Sequence, residues 1–336
     1  MFSNRMNSIK PFMVMEILEK ALNMEGEGID VVHMEIGQPD FDTPDRIVEG
    51  CFSDIKTSSM THYTSSLGLL ELRQALSEYK WRTRHVRFDP EEQFMVTSGT
   101  SPAFFILFSA LLNAGDEIIL TNPGYPCYEN FVNFFGGTPK FVPIYEENHF
   151  NLDLNDLQDT ITEKTKVLLL NSPSNTTGQI IPEETLEKIA QLVEEHGFWV
   201  ISDEIYSELT YTGKIAPSLS DAKHESCHDR LIVLDGFSKF WAMTGWRLGY
   251  LIAPRELIAQ MTPIQQNFLI CAPSVSQVAA IHALKCHQET QDMLKIYDER
   301  RNFIVSRMNE IKGISCLKPQ GAFYVFVNIK DLGIPS

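Results

Sequence analysis

The chain has 336 residues, more than one hydrophobic core usually covers, so we expect one large and one smaller domain. Hydrophobic residues make up 43% of the sequence and charged residues 21%, as is ordinary for a globular protein. The formal net charge of −16 argues against nucleic acid as the main partner, because phosphate binding needs a basic surface. A local basic pocket for one small anion is still compatible with it.

The cysteines and the apolar segments point to the cytoplasm. The six cysteines form no Cys-x-x-Cys pair, which is typical of reduced thiols and not of a disulfide framework. Residues 1–11 contain no apolar signal core, and the longest apolar stretch, Ala103 to Leu112, is too short to cross a bilayer. We therefore predict a cytoplasmic protein without a membrane partner.

A helix predicted from Ala103 to Asn113 is the first element in the chain whose sequence suggests a ligand site. It follows Thr97-Ser98-Gly99-Thr100-Ser101-Pro102, in which Ser101 is the expected N-cap and Pro102 the first helical residue. The unpaired amides and the positive dipole end of such a helix suit a phosphate group. The same residues could equally do no more than cap the helix, so this motif alone does not establish a site.

Four short apolar runs in the middle of the chain predict a parallel sheet. They are residues 117–120, 167–170, 198–201 and 231–234. Continuous apolar character is typical of strands that are buried on both faces. An amphipathic helix is predicted from Pro182 to His196, between the second and third runs. Strands that alternate with helices indicate an α/β fold with right-handed crossovers.

The pattern changes after Pro273, where two long helices are predicted. Ser274 is the expected N-cap of the first, and an apolar strand from Ala322 to Val327 is predicted to close the chain. We assign residues 46–285 to a large domain with a mostly parallel, seven-stranded type of sheet flanked by helices. Residues 1–45 with 286–336 are assigned to a smaller α+β domain.

Polar residues follow three of the apolar runs. Asn171 to Gly178 follow the second run, Asp203 and Tyr206 follow the third, and Lys239 and Arg247 follow the fourth. Ligands of parallel α/β sheets bind beyond the carboxyl ends of the strands. We therefore expect an amide, a carboxylate with a phenol, and an amine with a guanidinium to meet in one cofactor crevice.

Seven segments of the chain together carry a resemblance to a known enzyme family. They are Gly37-Gln38-Pro39-Asp40-Phe41; Tyr63 before Gly68 and Glu71-Leu72-Arg73; Asn122-Pro123-Gly124-Tyr125-Pro126; Asn171 to Gly178; Ser202 to Tyr206; Ser238-Lys239 with Thr244 to Gly249; and Gly321-Ala322-Phe323-Tyr324. In this order they resemble the class I/II aminotransferases, the fold-type I enzymes that depend on pyridoxal 5′-phosphate. The resemblance covers nearly the whole chain, and seven segments in family order are far more specific than any one of them.

The resemblance implies that Lys239 is the catalytic residue. It would hold the cofactor as a Schiff base and, once substrate displaces it, move the proton from the substrate Cα to the cofactor. A shielded site lowers the pKa of a lysine, which favours both tasks. Asp203 would pair with the protonated pyridine nitrogen and keep the ring an electron sink.

Further cofactor contacts are implied around the ring and the phosphate. Tyr206 and Asn175 would hydrogen-bond the phenolic oxygen, and Tyr125 would stack on the ring. The phosphate would be bound by Gly99, Thr100, Ser101 and Arg247, and Ser238 would also contact the cofactor.

The resemblance also implies substrates and a partner. Gly37 would offer a backbone amide near the substrate carboxylate, where Asn175 would also bind. Tyr63 would reach the phosphate in a neighbouring subunit, so we expect a homodimer with shared active sites. A tyrosine at the end of an exposed loop is nearly as good an interpretation of Tyr63.

No metal site is predicted. His224-Glu225-Ser226-Cys227-His228 matches the His-Glu-x-x-His zinc pattern, but that motif needs a helix to place both histidines on one face. Here it lies in a polar connection just before a strand, so we expect a solvated loop.

The sequence departs from the family in two places. The family's Asn-Pro-Thr-Gly is Asn175-Thr176-Thr177-Gly178 here, so the Asn175 side chain could be held differently. Family members also usually continue for several dozen residues after Gly-Ala-Phe-Tyr and carry there the arginine that binds the substrate α-carboxylate. This chain ends at Ser336, and Pro335-Ser336 has the pattern of an N-cap. We therefore expect an incomplete small domain or a missing carboxylate arginine.

Three functions stay open at this point. The first is an aminotransferase that exchanges the amino group of an α-amino acid with a 2-oxo acid. The second is a pyridoxal-phosphate-dependent carbon–sulfur β-lyase, which would release ammonia and pyruvate. The third is a cofactor-binding protein with impaired catalysis. The first is favoured, and the sequence does not identify the substrate side chain.

Overall fold

The four apolar runs form the middle of one large sheet. The structure is a computed structural model, and it describes residues 3–57 and 60–333. The N-cap predicted at Pro335-Ser336 lies outside these residues. The strands of the large sheet are β1 (Phe94–Thr97), β2 (Glu117–Asn122), β3 (Thr138–Pro143), β4 (Thr165–Asn171), β5 (Trp199–Asp203), β6 (Leu231–Gly236) and β7 (Gly249–Ile252).

The order of the strands confirms the predicted sheet. Within the described residues it has seven strands in the order β1-β7-β6-β5-β4-β2-β3. Only β7 runs antiparallel to its neighbours, and the other pairs are parallel. The fold class is therefore α/β with a mostly parallel seven-stranded sheet.

Helices cover both faces of this sheet. In the described residues they are α1 (Met13–Gly26), α2 (Asp45–Thr57), α3 (Leu70–Arg84), α4 (Thr100–Leu111), α5 (Cys127–Phe134), α6 (Leu154–Thr160), α7 (Glu183–His196), α8 (Arg255–Phe268), α9 (Ser274–Ala283) and α10 (His287–Asn309). None of them combines the length and the apolar composition that a membrane-spanning helix needs.

The side chains of each central strand divide between two cores. Leu169 of β4 and Ile201 of β5 pack with α4, α5 and α8 on one face. Leu168 and Val200 pack with α3, α7 and α9 on the other. Because successive side chains point to opposite faces and both faces are covered, these strands need apolar residues at every position. This explains the continuous apolar runs.

The predicted helix caps need small corrections. Helix α4 begins at Thr100 with Gly99 as its N-cap, so Ser101 and Pro102 lie inside the first turn. Gly99 has a φ of +102°, a conformation that side-chain-bearing residues rarely adopt, which lets the chain turn directly from β1 into the helix. Ser274 is likewise the first residue of α9, and Pro273 is its N-cap.

The strand predicted from Ala322 to Val327 was wrong over most of its length. Only Val327–Asn328 (β9) is a strand, and it pairs with Ser315–Cys316 (β8). Ala322 has a φ of +53°, and the rings of Phe323 and Tyr324 both contact the ring of Tyr206. Consecutive side chains of a strand point to opposite faces, so these contacts are incompatible with a regular strand.

The solvated loop predicted around His224 was also wrong. Residues Ala222–Arg230 form a 3-10 helical segment, and His224 is only 3% exposed. Its ring nitrogen lies 2.9 Å from Glu183 at the start of α7. Within the described residues, no group of three or more His, Cys, Asp or Glu side chains is arranged to hold a metal ion.

A buried ionic cluster joins α3 to the ends of β5 and β6. Lys80 lies 3.1 Å from Glu204 and 3.0 Å from Asp235, and Arg84 lies 3.1 Å from both Glu204 and Asp221. Burial opposes the ionisation of Glu204, but Lys80 and Arg84 outweigh it and lower its pKa to about 2. Glu204 is therefore ionised at neutral pH.

The Lys80→Met variant should be strongly destabilised. Removal of one cation leaves Glu204 and Asp235 buried with less compensation, which typically costs about 3–5 kcal/mol. The free energy of unfolding in urea measures this loss. Lys295→Met is the control, because the Lys295 side chain is 69% exposed beside Asp292 and should change stability by less than about 1 kcal/mol. Equal stability of the two variants would contradict the prediction.

Candidate active site

The carboxyl ends of β4, β5 and β6 meet at one edge of the sheet. Asn171 and Asp203 are register partners at the ends of β4 and β5, and the Asn171 side chain donates to the Asp203 carbonyl over 3.1 Å. Lys239 follows the end of β6 by three residues. The structure thus brings these predicted polar residues together at one edge of the sheet.

Lys239 lies in a partly buried crevice. Its Nζ donates to the Gly37 carbonyl over 2.5 Å and lies 6.0 Å from the ring centre of Tyr206. Burial and, to a smaller extent, the nearby Arg247 lower the pKa of Lys239 to about 8, while Asp203 acts in the opposite direction. A much larger fraction of the amine is therefore neutral, and so nucleophilic, near neutral pH than in an exposed lysine.

Asp203 is held by two donors. It is 5% exposed; its Oδ1 accepts the Ile205 amide over 3.2 Å and its Oδ2 accepts the Tyr128 hydroxyl over 2.7 Å. Burial raises the pKa of Asp203 to about 6, although both donors oppose the shift. Each carboxylate oxygen can accept more than one hydrogen bond, so the group can still bind a cationic N–H.

Tyr206, the phenol predicted in the crevice with Asp203, is paired with a second tyrosine. The hydroxyls of Tyr206 and Tyr324 lie 2.6 Å apart, and the Asn175 side-chain amide donates to Tyr324 over 3.3 Å. The Asn175 backbone amide donates to Asn171 Oδ1 over 2.7 Å. Asn175 therefore reaches the crevice even though threonine follows it in place of the family's proline.

Gly37 and Tyr125 border the same crevice. A Cβ on Gly37 would lie 2.2 Å from the Tyr324 hydroxyl, so only glycine leaves room for that tyrosine. The ring of Tyr125 meets Tyr128 and Phe12 edge-on, at 5.2 Å and 6.0 Å between ring centres. Burial raises the pKa of Tyr125 well above its ordinary value, so its hydroxyl stays neutral.

The start of α4 and Arg247 form an anion-binding corner. A Cβ on Gly99 would lie 2.8 Å from Nη2 of Arg247, so the guanidinium lies directly against the helix start. A Cβ on Gly249 would lie 3.0 Å from the Thr100 amide. Thr100 and Ser101 occupy the first turn of α4, whose amides lack helical partners. Glycines, free amides and a guanidinium are the donor set that a phosphate requires.

One predicted site residue, Tyr63, is not joined to this crevice within the described part of the chain. Among the described residues, Tyr63 makes none of the hydrogen bonds or ring contacts that connect the site, and it is 80% exposed. Ser238 is partly exposed next to Lys239.

A cavity of about 690 Å³ opens beside Arg247; it is lined by residues 38–43 and 244–247 with Ala242, Pro273 and Ser276.

Three residues of the crevice were missed by the sequence analysis as site residues. Tyr324 and Phe323 belong to a segment that carried the family resemblance, but the strand predicted there gave them no role. Tyr128 lies in the first turn of α5, three residues after Tyr125, and the two rings are in contact. Its closeness in the sequence to a predicted site residue was the available signal for it.

A family model described as aminotransferase class I and II matches residues 29–332. The chain is 38% identical to the aspartate aminotransferase of Pyrococcus abyssi over 337 aligned positions, which cover 99% of this chain and 85% of the relative. It is 36% identical to aromatic-amino-acid aminotransferase 2 of Thermococcus litoralis, with the same two coverages. The chain belongs to the class I and II aminotransferases.

Solved structures agree with this assignment. The aspartate aminotransferase of Thermus thermophilus with maleate superposes with a TM-score of 0.90 at 33% identity, over 97% of this chain and 85% of that one. The alanine aminotransferase of Pyrococcus furiosus gives 0.90 at 35% identity, over 98% and 84%. The chain is a pyridoxal-phosphate-dependent aminotransferase, which confirms the family, activity and cofactor predicted from the sequence.

The residues of the crevice fit the cofactor. The anion-binding corner matches the phosphate, and Asp203 offers a buried carboxylate to a cationic ring nitrogen. Lys239 offers an amine to the aldehyde, and Tyr206 offers a hydroxyl to the phenolic oxygen. These four functions lie in one crevice and have the polarity that each group of pyridoxal phosphate needs.

The field of Arg247 on Lys239 can be measured in the cofactor-free protein. Arg247→Met removes a cation, so the pKa of Lys239 should rise from about 8 by about one unit. The measurement is the pH dependence of acylation at Lys239 by an amine-reactive reagent, followed by mass spectrometry. Arg230→Met is the control, since Arg230 lies over the ring of Trp199 on another part of the surface. An unchanged midpoint of the acylation curve in Arg247→Met would show that Arg247 does not lower the pKa of Lys239.

Proposed function

We propose that Lys239 is the catalytic residue of this aminotransferase and that Asp203, Tyr206 and Asn175 position the cofactor ring. Gly99, Thr100, Ser101 and Arg247 bind the phosphate, with Ser238 and Tyr125 as further cofactor contacts. Substrates are α-amino acids and 2-oxo acids, and Gly37 and Asn175 lie where the substrate carboxylate binds.

The proposal depends above all on the position of the Lys239 amine. It lies in the crevice between an anion-binding corner and a buried carboxylate, and burial with Arg247 lowers its pKa to about 8. An amine with this pKa can hold the cofactor covalently. Once released, it can take the proton from the substrate Cα and return it, because its two protonation states are close in free energy at neutral pH.

The other residues supply fixed electrostatics. When bound, pyridoxal phosphate supplies an aldehyde that accepts the amino group and a ring that withdraws electrons from the substrate carbon. The Asp203 carboxylate stabilises positive charge at the ring nitrogen. The Tyr206 hydroxyl binds the phenolic oxygen, and Arg247 with the start of α4 fixes the phosphate and thereby the ring.

The two chain ends support the proposed division into domains. The large sheet lies within residues 46–285, whereas Asp40 and Phe41 contact α10 through Arg300 and Tyr297. Residues 1–45 with 286–336 would thus form the small domain. We also propose a cytoplasmic location, which is supported by the six free cysteines.

Lys239→Ala should reduce amino-group exchange by a factor on the order of 10⁴ or more, because both covalent and proton-transfer functions are lost. The measurement is the visible spectrum of the bound cofactor during a single half-reaction with a panel of amino acids, which also identifies the donors. Exposed Lys188→Ala is the control. A native rate in Lys239→Ala would show that another residue is the base.

We further propose a homodimer with shared active sites. Tyr63 is 80% exposed, and a cavity of about 690 Å³ lies beside Arg247. The cavity can accept a side chain from a second copy, and a tyrosine hydroxyl there would donate to the phosphate.

A mixture of Lys239→Ala and Tyr63→Ala chains tests this arrangement. Each mixed dimer would contain one site with native Lys239 and native Tyr63, so the co-expressed pair should be more active than the mean of the two separate variants. The measurement is transaminase activity per active-site equivalent, with the wild-type chain mixed with Lys239→Ala as control. Activity equal to the mean would contradict shared sites.

A further inference from the structure

We propose that Tyr128 is a positioning residue of the reaction: its hydroxyl holds the Asp203 carboxylate ionised and in the orientation that the ring nitrogen of the cofactor requires. This inference rests on the proposed role of Asp203. Tyr128 itself is not proposed to touch the substrate or the cofactor.

The hydrogen bonds of Asp203 define its orientation. The Tyr128 hydroxyl donates to Oδ2 over 2.7 Å, and the Ile205 amide donates to Oδ1 over 3.2 Å. Because the two donors act on different oxygens, they fix the rotation of the carboxylate plane. Each oxygen keeps acceptor capacity for a further N–H.

Tyr128 is a rigid donor because its ring is locked in the core. It is 6% exposed, and its ring lies 5.4 Å from that of Phe104 and 5.2 Å from that of Tyr125. The hydroxyl cannot leave Asp203 without a rearrangement of this aromatic cluster. Donors that need no reorganisation are the most effective in a buried site.

Burial and neighbouring charges oppose the ionisation of Asp203, and the Tyr128 hydroxyl offsets them. Burial raises the pKa of Asp203 most, and Asp235 and Glu204 raise it further, whereas Tyr128 and the Ile205 amide lower it. Burial also raises the pKa of Tyr128 well above its ordinary value, so Tyr128 remains a neutral donor. Other titratable groups near Asp203 are Tyr125, Tyr206, Tyr324 and Lys239, with Lys80 and Arg84 on Glu204 and Asp235.

The test measures the dissociation constant of pyridoxal phosphate as a function of pH by absorbance, in Tyr128→Phe and wild type. Protonation of Asp203 weakens binding, so binding by the wild type should weaken as the pH falls through about 6. Without the hydroxyl the carboxylate is more basic, and this onset should move to higher pH by about one unit. Titration of the free cofactor is common to both proteins and cancels in the comparison.

Tyr250→Phe is a matched control. Tyr250 is fully buried, and its hydroxyl donates to Asp235 over 2.8 Å, so this variant loses the same chemical group from another buried carboxylate. Asp235 becomes easier to protonate, which does not raise the pKa of Asp203. The onset in Tyr250→Phe should therefore not move upward.

A second substitution acts in the opposite direction and keeps the ring in place. Incorporation of 3-fluorotyrosine at position 128 makes the hydroxyl a stronger donor, so the onset should move to lower pH. Unchanged onsets in both Tyr128→Phe and the fluorinated protein would overturn the inference.

Asp203→Asn separates this inference from the proposed function. If Asp203→Asn weakens cofactor binding at every pH while Tyr128→Phe behaves as wild type, Asp203 keeps its role and Tyr128 has none. If Asp203→Asn binds the cofactor as wild type does, the role of Asp203 itself fails, and the inference about Tyr128 fails with it.

Discussion

The parallel pairing of β4, β5 and β6 is the constraint on which the site depends. It places Asn171 opposite Asp203, and it delivers the segment that carries Lys239 to the same edge. The sheet therefore brings together residues that are far apart in the sequence, without the need for direct contacts between them. The contacts seen between them, such as Asn171 to the Asp203 carbonyl, refine a position that the sheet already sets.

Two neighbouring carboxylates with opposite properties lie at the carboxyl end of β5, Asp203 as its last residue and Glu204 directly after it. Asp203 and Glu204 are adjacent, so their side chains lie toward different faces of the sheet, one against α5 and the other against α3. Burial raises the pKa of Asp203 to about 6, whereas Lys80 and Arg84 lower that of Glu204 to about 2. Glu204 is therefore ionised at neutral pH and stabilises the fold through its ion pairs. The pKa of Asp203, in contrast, lies close enough to neutral pH for a bound cation to change its protonation.

The sequence predicted those parts of the fold whose signal is local. Strands buried on both faces appear as apolar runs, and polar residues directly after them could be assigned to one crevice. The apolar run from Ala322 misled, because the rings of Phe323 and Tyr324 pack against Tyr206 and do not belong to a strand pair. The proposed role of Tyr128 depends on a contact with Asp203, 75 residues away, whereas its closeness to Tyr125 in the sequence indicates only that it lies near the site.

The loop that follows Gly37 packs against α10 through aromatic contacts. Asp40 and Arg300 form an ion pair, but both side chains are more than half exposed, and such pairs contribute little. Phe41 instead packs edge-on against Tyr297 at 5.1 Å and lies under the Arg300 guanidinium at 5.2 Å. Because the Gly37 carbonyl accepts from Lys239, contacts that hold this loop also affect where the free amine lies. The position of the Lys239 amine is thus linked to contacts between the two ends of the chain.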